Sequence, residues 1–106
     1  MKGDNVERIL CAANHYDDGI EHVHKPRNIK TGFVVCGRRH HNCIQTFAMI
    51  VGLPYTEEGH VLHRTEEQGF ITNLDRFVTR EEAAEIALAA GQIENKIITL
   101  YSEDLY

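Results

Sequence analysis

The sequence predicts an α+β fold, a small antiparallel sheet with two helices packed on it. Three observations carry that prediction. Short apolar runs rich in β-branched and aromatic residues recur, two segments place apolar residues at helical spacing, and the turn signals between strands favour hairpins. With 106 residues the chain is read as one domain, 1–106, because that length leaves no room for a second core.

The first strand is expected over 7–15, where Ile9, Leu10, Cys11, Ala12 and Ala13 make a short apolar run between polar flanks. Asp17-Asp18-Gly19 turns the chain. Residues 22–29 hold Pro26 and many charges, and read as an exposed loop or an edge strand. T-G-F-V-V-C over 31–36 has the composition of a central strand, and Gly37 ends it. Cys43, Phe47, Ile50 and Val51 fall at i, i+4, i+7 and i+8, one apolar face of a helix that Gly52 and Pro54 stop. Residues 59–64 read as a short strand. A further strand is expected over 68–73, a turn at Asn73-Leu74-Asp75, and a returning strand at Arg76-Phe77-Val78. Thr79 and Glu82 have capping-box spacing and open the second helix, with Ala83, Ile86, Ala87 and Ala90 as its apolar stripe and Gly91 at its end. That stripe of small side chains permits close approach to a sheet or to a neighbouring helix. The tail is apolar over 97–101, then polar and aromatic, and is read as a docked extended segment.

Composition excludes several classes. Lys and Arg total 11 against 16 Asp and Glu, a net charge of −5, which argues against duplex DNA as a partner because a broad basic face is needed to displace phosphate counterions. No apolar run approaches the roughly 20 residues that span a bilayer, and Met1-Lys2-Gly3-Asp4-Asn5 lacks the apolar stretch of a signal peptide. Three cysteines, Cys11, Cys36 and Cys43, with no C-x-x-C spacing, fit a reducing compartment; Cys11 and Cys36 are read as small buried strand residues.

Chemistry concentrates in two places. Gly37-Arg38-Arg39-His40-His41-Asn42 lies between a strand end and a helix start, where exposed N–H groups and two arginines attract anions. Arg80 falls in the first turn of the second helix, where a cation opposes the helix dipole; an unfavourable charge persists there if it serves a ligand or if Glu81 and Glu82 neutralise it. Arg76, which opens the returning strand, is placed to converge on the same anion, and Phe70 or Phe77 to stack on a base. The seven histidines offer His22-x-His24 and His60-x-x-His63, neither of which is a zinc-protease motif, so no metal site is assigned. Cys43 faces the helix core, Ser102 sits in the tail, and no G-x-S-x-G, P-loop or G-x-G-x-x-G occurs, so no catalytic residue or cofactor is assigned either.

The strings R-I-L-C-A-A-N, G-F-V-V-C-G-R-R-H-H, Q-G-F-I-T-N-L-D-R-F-V-T-R-E-E-A, A-G-Q-I and the terminal L-Y-S-E-D-L-Y, covering Arg8 to Tyr106, resemble the phage Thoeris anti-defence sponge family, the first type described. The most specific part is Arg76-Phe-Val-Thr-Arg80-Glu-Glu-Ala. The resemblance implies a binding protein rather than an enzyme, one that sequesters a cyclic ADP-ribose isomer (glyco-cyclic ADP-ribose) made by bacterial Thoeris TIR proteins, in the host bacterial cytoplasm. It implies an intertwined homo-oligomer, a dimer that assembles further into a hexamer, with cyclic trinucleotides at a separate site. Arg76 and Arg80 match the family's pair of ligand-holding arginines four residues apart. Phe47 and Asn73 are assigned to the family's pocket aromatic and amide. Arg39 and His40 are the second-site residues.

Physical chemistry agrees with a diphosphate ligand. Arg presents a planar bidentate fork, and each charge-assisted bond is worth about 1.5–3 kcal/mol. Nanomolar capture needs about 12 kcal/mol, so stacking and enclosure between subunits must supply the rest. Two alternatives stand beside this reading: a His-rich metal-dependent phosphodiesterase, and a structural or regulatory phage protein with no small ligand.

Overall fold

The computed structural model describes residues 6–105. The N-terminal stretch read for a targeting segment, 1–5, and Tyr106 lie outside them. The elements run β1 (Ile9–Tyr16), β2 (Phe33–Gly37), α1 (His40–Val51), α2 (Glu57–His63), β3 (Glu67–Thr72), β4 (Phe77–Thr79) and α3 (Arg80–Ala89), with a 3₁₀ turn at Ser102–Asp104. The four strands form one antiparallel sheet in the order β2-β1-β3-β4. The α+β class and antiparallel sheet are as expected; the helices number three among the described residues, where two were expected.

Strand alternation decides which side of the sheet is covered. Ala12, Asn14 and Tyr16 of β1 share a face with Val35 of β2, Phe70 of β3 and Val78 of β4, and all six are buried. On this face α1 packs over β1 and β2, and α3 packs over β3, β4 and β1. The core joins these residues to Cys43 and Phe47 of α1, to Ala83, Ala84 and Ala87 of α3, and to Leu100 of the tail. The alanine stripe is therefore spent on the chain's own sheet and is not available to a neighbouring copy. In α1 the expected face holds for Cys43 and Phe47, while Ile50 is 62% exposed, beside Met49 and Leu53, which are also exposed.

The helix boundaries follow local chemistry. Thr79 Oγ1 accepts from Glu82 N at 3.2 Å and Glu82 Oε1 accepts from Thr79 N at 3.1 Å, the reciprocal capping box read from the sequence. Gly91 follows α3 with φ +75°, the left-handed conformation that glycine adopts without strain. Of the expected strand at 59–64, residues 59–63 lie instead in α2 and Arg64 caps its end. Thr56 Oγ1 accepts from Gly59 N at 3.1 Å, and Glu57 and Glu58 sit in the first turn, a complete N-terminal signal. On the other face of the sheet, the loop of residues 20–31 covers the edge of β4. Asn28 donates to Phe77 O at 2.6 Å and accepts from Phe77 N at 2.8 Å, so its side chain stands in for a neighbouring strand.

Candidate functional site

The start of α1 and the start of α3 meet at one end of the sheet. His40, the first residue of α1, donates from Nε2 to Gly69 O at 2.8 Å, and Gly69 pairs across β3 and β4 with Thr79, the cap of α3. A Cβ at Gly69 would lie 2.1 Å from Val78 O, so only glycine allows this close approach. Two helix N-termini thus bring their partial positive charges together, with Arg39 as the cap of one and Arg80 as the first residue of the other. α1 carries no acidic residue in its first turn to offset this.

Arg80 turns away from its own helix. One guanidinium N–H group donates to Gln68 Oε1, and the guanidinium carbon lies 4.9 Å from the centre of the Tyr101 ring. Among the described residues no carboxylate pairs with Arg80. Glu82 is engaged in the cap, and Glu81 accepts from Thr99 at 3.4 Å, so neither neutralises the arginine as the sequence allowed. Gln68 is oriented from behind. Its amide N–H donates to Glu66 Oε2 at 3.1 Å, while Glu66 Oε1 accepts from the Tyr16 hydroxyl at 2.6 Å. An acceptor behind the amide nitrogen leaves the amide oxygen facing Arg80. Burial, followed by the bond to Glu66, pushes the Tyr16 phenol above its ordinary range and keeps it a donor. Asn14 lies opposite Gln68 on β1, fully buried; its amide donates to Tyr16 at 3.3 Å, and its Oδ1 has no partner among the described residues.

The C-terminal tail completes the patch. Leu100 is buried and donates from its backbone to Arg80 O at 3.0 Å. Asp104 accepts from Tyr101 N at 2.9 Å, and Glu103 Oε2 lies 3.4 Å from Arg39 Nη1. Arg39 and Arg80, assigned to separate sites from the sequence, therefore touch the same short turn, while Arg76, Phe47 and Asn73 do not join them. His40 contributes structure rather than charge. Burial lowers its pKa, outweighing the Gly69 bond, with the Arg80 charge adding to the lowering, and its ring stands edge-on to Phe70 at 5.1 Å.

The other assigned residues lie elsewhere. Arg76 sits at the opposite end of β4, a strand rise of roughly 13 Å from Arg80, with Nε 3.0 Å from Glu7 Oε2. That carboxylate oxygen also accepts from Thr72 Oγ1 at 2.7 Å. Asn73 accepts from Arg8 N at 2.6 Å and donates to Val6 O at 2.9 Å. Together they clip the chain entering β1 to the β3–β4 turn, and the Asn73 amide is engaged in that clip through both its oxygen and its nitrogen. Phe47 is fully buried, stacked on Tyr16 at 3.9 Å and 11°, with Tyr55 edge-on to it. Its ring face is occupied by the core, and it is not open to a base; Phe70 and Phe77 are buried as well. The aromatic beside the arginine is Tyr101, 51% exposed, which sequence reasoning passed over.

His22 binds Asp18 at 2.7 Å within a loop, so the pair with His24 does not share a strand face. Among the described residues no group of three or more His, Cys, Asp or Glu could hold a metal ion. Cys43 is buried and its thiol is pushed up to about 11 by desolvation, which leaves it unreactive. Cys11 and Cys36 were expected to be buried; Cys36 is exposed and Cys11 only half-buried. Among the described residues no helix is long and apolar enough to cross a membrane.

Compared with known proteins, residues 8–106 match the family model of the phage T4 y16D protein. No curated protein and no solved structure matches the chain.

Proposed function

We propose, from the premise that the chain belongs to the phage T4 y16D protein family, that this phage protein captures a cyclic ADP-ribose isomer made by bacterial Thoeris TIR proteins and holds it without cleavage. The observation that carries the reading is the meeting of Arg39 and Arg80 at two helix N-termini in a chain of net charge −5. A diphosphate is attracted to both the N–H groups and the guanidinium forks, and Tyr101 supplies an exposed aromatic face for a base. Glu103 is 71% exposed while the Arg39 side chain it pairs with is 24% exposed, so the pair is open to solvent on its carboxylate side. A doubly charged ligand displaces it readily. With Arg39 and Arg80 both held against the Tyr101–Asp104 turn, a cyclic trinucleotide is expected to compete for that turn instead of binding independently.

Two arginines contribute about 3–6 kcal/mol, well short of the 12 kcal/mol of nanomolar capture. Enclosure by a second copy is the remaining source, and the reading therefore includes a homodimer that assembles further into a hexamer, working in the host bacterial cytoplasm. Exposed Met49, Ile50 and Leu53 at the end of α1 offer apolar surface for such assembly, in place of the alanine stripe first considered.

Calorimetric titration of the native chain with glyco-cyclic ADP-ribose, with light scattering in the same buffer, tests this. Saturable binding to a particle larger than the 12.1 kDa chain is expected. A monomer at micromolar concentration, or no heat of binding, refutes it.

A further inference from the structure

Gln68 restrains Arg80 only while its amide keeps one orientation, and the two ends of an amide have the same shape. Arg80 offers donors alone, so Gln68 must turn its oxygen to the guanidinium and its nitrogen away. The nitrogen meets Glu66, two residues earlier at the entry to β3, whose Oε2 accepts at 3.1 Å. Glu66 is held in turn. Asn14 donates to the Tyr16 oxygen at 3.3 Å, which leaves the hydroxyl proton for Glu66 Oε1 at 2.6 Å. His63 Nε2 lies 3.9 Å from that oxygen, too far for a hydrogen bond. Along Asn14, Tyr16, Glu66, Gln68 and Arg80 each donor and acceptor thus has one assignment, and both arms end on the Glu66 carboxylate.

We propose, on the reading of Arg80 as a ligand-holding residue, that Glu66 is a positioning residue for anion capture: acting through Gln68, it sets the orientation of the Arg80 guanidinium without touching the ligand. The Glu66 side chain is 16% exposed and both its oxygens are engaged. Its own charge repels a diphosphate, so it favours capture only through Gln68. Gln68 holds the guanidinium by an N–H group and the Tyr101 ring lies against it, so Arg80 meets the ligand already oriented and loses less side-chain freedom on binding.

Glu66→Met tests this, because it keeps the unbranched length while positioning and charge then act with opposite signs. On charge alone, a neutral residue at 66 strengthens capture of an anion. Positioning predicts that Glu66→Met weakens calorimetric binding of glyco-cyclic ADP-ribose by about three- to tenfold. Glu66→Gln removes the same charge but keeps one acceptor, and should lose less. In a Gln68→Leu chain, itself weakened to a similar degree, Glu66→Met should cost nothing further, a coupling that a merely structural residue does not show. Melting curves accompany each titration. If Glu66→Met does not fold, Tyr16→Phe, which removes the hydroxyl holding Glu66 and keeps the ring, carries the test with an expected loss of about twofold. Binding by the folded variant at native strength or tighter, or a Glu66→Met loss that persists in full in the Gln68→Leu chain, overturns the proposal. Arg80→Ala is titrated alongside. Full-strength binding by Arg80→Ala refutes the site and the positioning role together, whereas weak Arg80→Ala beside full-strength Glu66→Met refutes the positioning role alone.

Discussion

Replacing Phe47 by Ala should lower the folding stability by about 3–5 kcal/mol, a large share of the 5–15 kcal/mol that holds a small domain together. Phe47 is fully buried and stacked on Tyr16, and Tyr55 and the ring of His63 close around it. Removing the ring opens a cavity between α1 and the sheet that rigid neighbours fill only in part. Thermal unfolding should fall by more than about 12 °C. Phe47→Leu, which conserves most of the volume, should cost far less. The comparison also separates the two roles assigned to this residue. A Phe47→Ala chain that melts normally yet no longer binds ligand would return Phe47 to the pocket and remove it from the core.

Replacing Arg80 by Ala should weaken ligand binding by about 1.5–3 kcal/mol, roughly ten- to a hundred-fold, while folding stability stays within about 1 kcal/mol. The stability effect is small because two contributions oppose one another. The contacts with Gln68 and Tyr101 are lost, and the repulsion between a cation and the start of its own helix is lost with them. Arg80→Lys should restore binding only in part, since an ammonium cannot present two parallel donors to a diphosphate. Calorimetric titration and a melting curve on both variants decide the matter. Full-strength binding by Arg80→Ala refutes the site. Lost binding with a collapsed melting temperature makes Arg80 a structural residue.

Much of the fold was legible in the sequence because its signals are local. Thr79 and Glu82 announce α3 by spacing alone, and the short apolar run of β1 between polar flanks marks a strand. α2 was missed because its seven residues carry too little periodicity to outweigh the apolar Val61 and Leu62, although Thr56-Glu57-Glu58 was a readable start. Arg80 could be singled out because a cation in a helix's first turn is costly whatever surrounds it. Its partners could not, since they arrive from distant segments: Tyr101 comes with a tail anchored by buried Leu100, and Gln68 from β3. Arg76 looked equivalent to Arg80 by spacing, yet its partner Glu7 lies at the other end of the chain. Phe47 was visible on the apolar face of α1 together with Cys43, and that periodicity pointed to the core. Asn14 could have been noticed too, as a polar residue with the same strand parity as Ala12 and Tyr16.

Capture without cleavage is tested most directly by recovery of the ligand. The native chain is incubated with glyco-cyclic ADP-ribose, separated from free ligand, heat-denatured, and the released material identified by mass spectrometry. Intact cyclic ligand, in the amount captured, is the expected result. Release of a linear or hydrolysed product, or retention of no ligand at all by the folded chain, would contradict it.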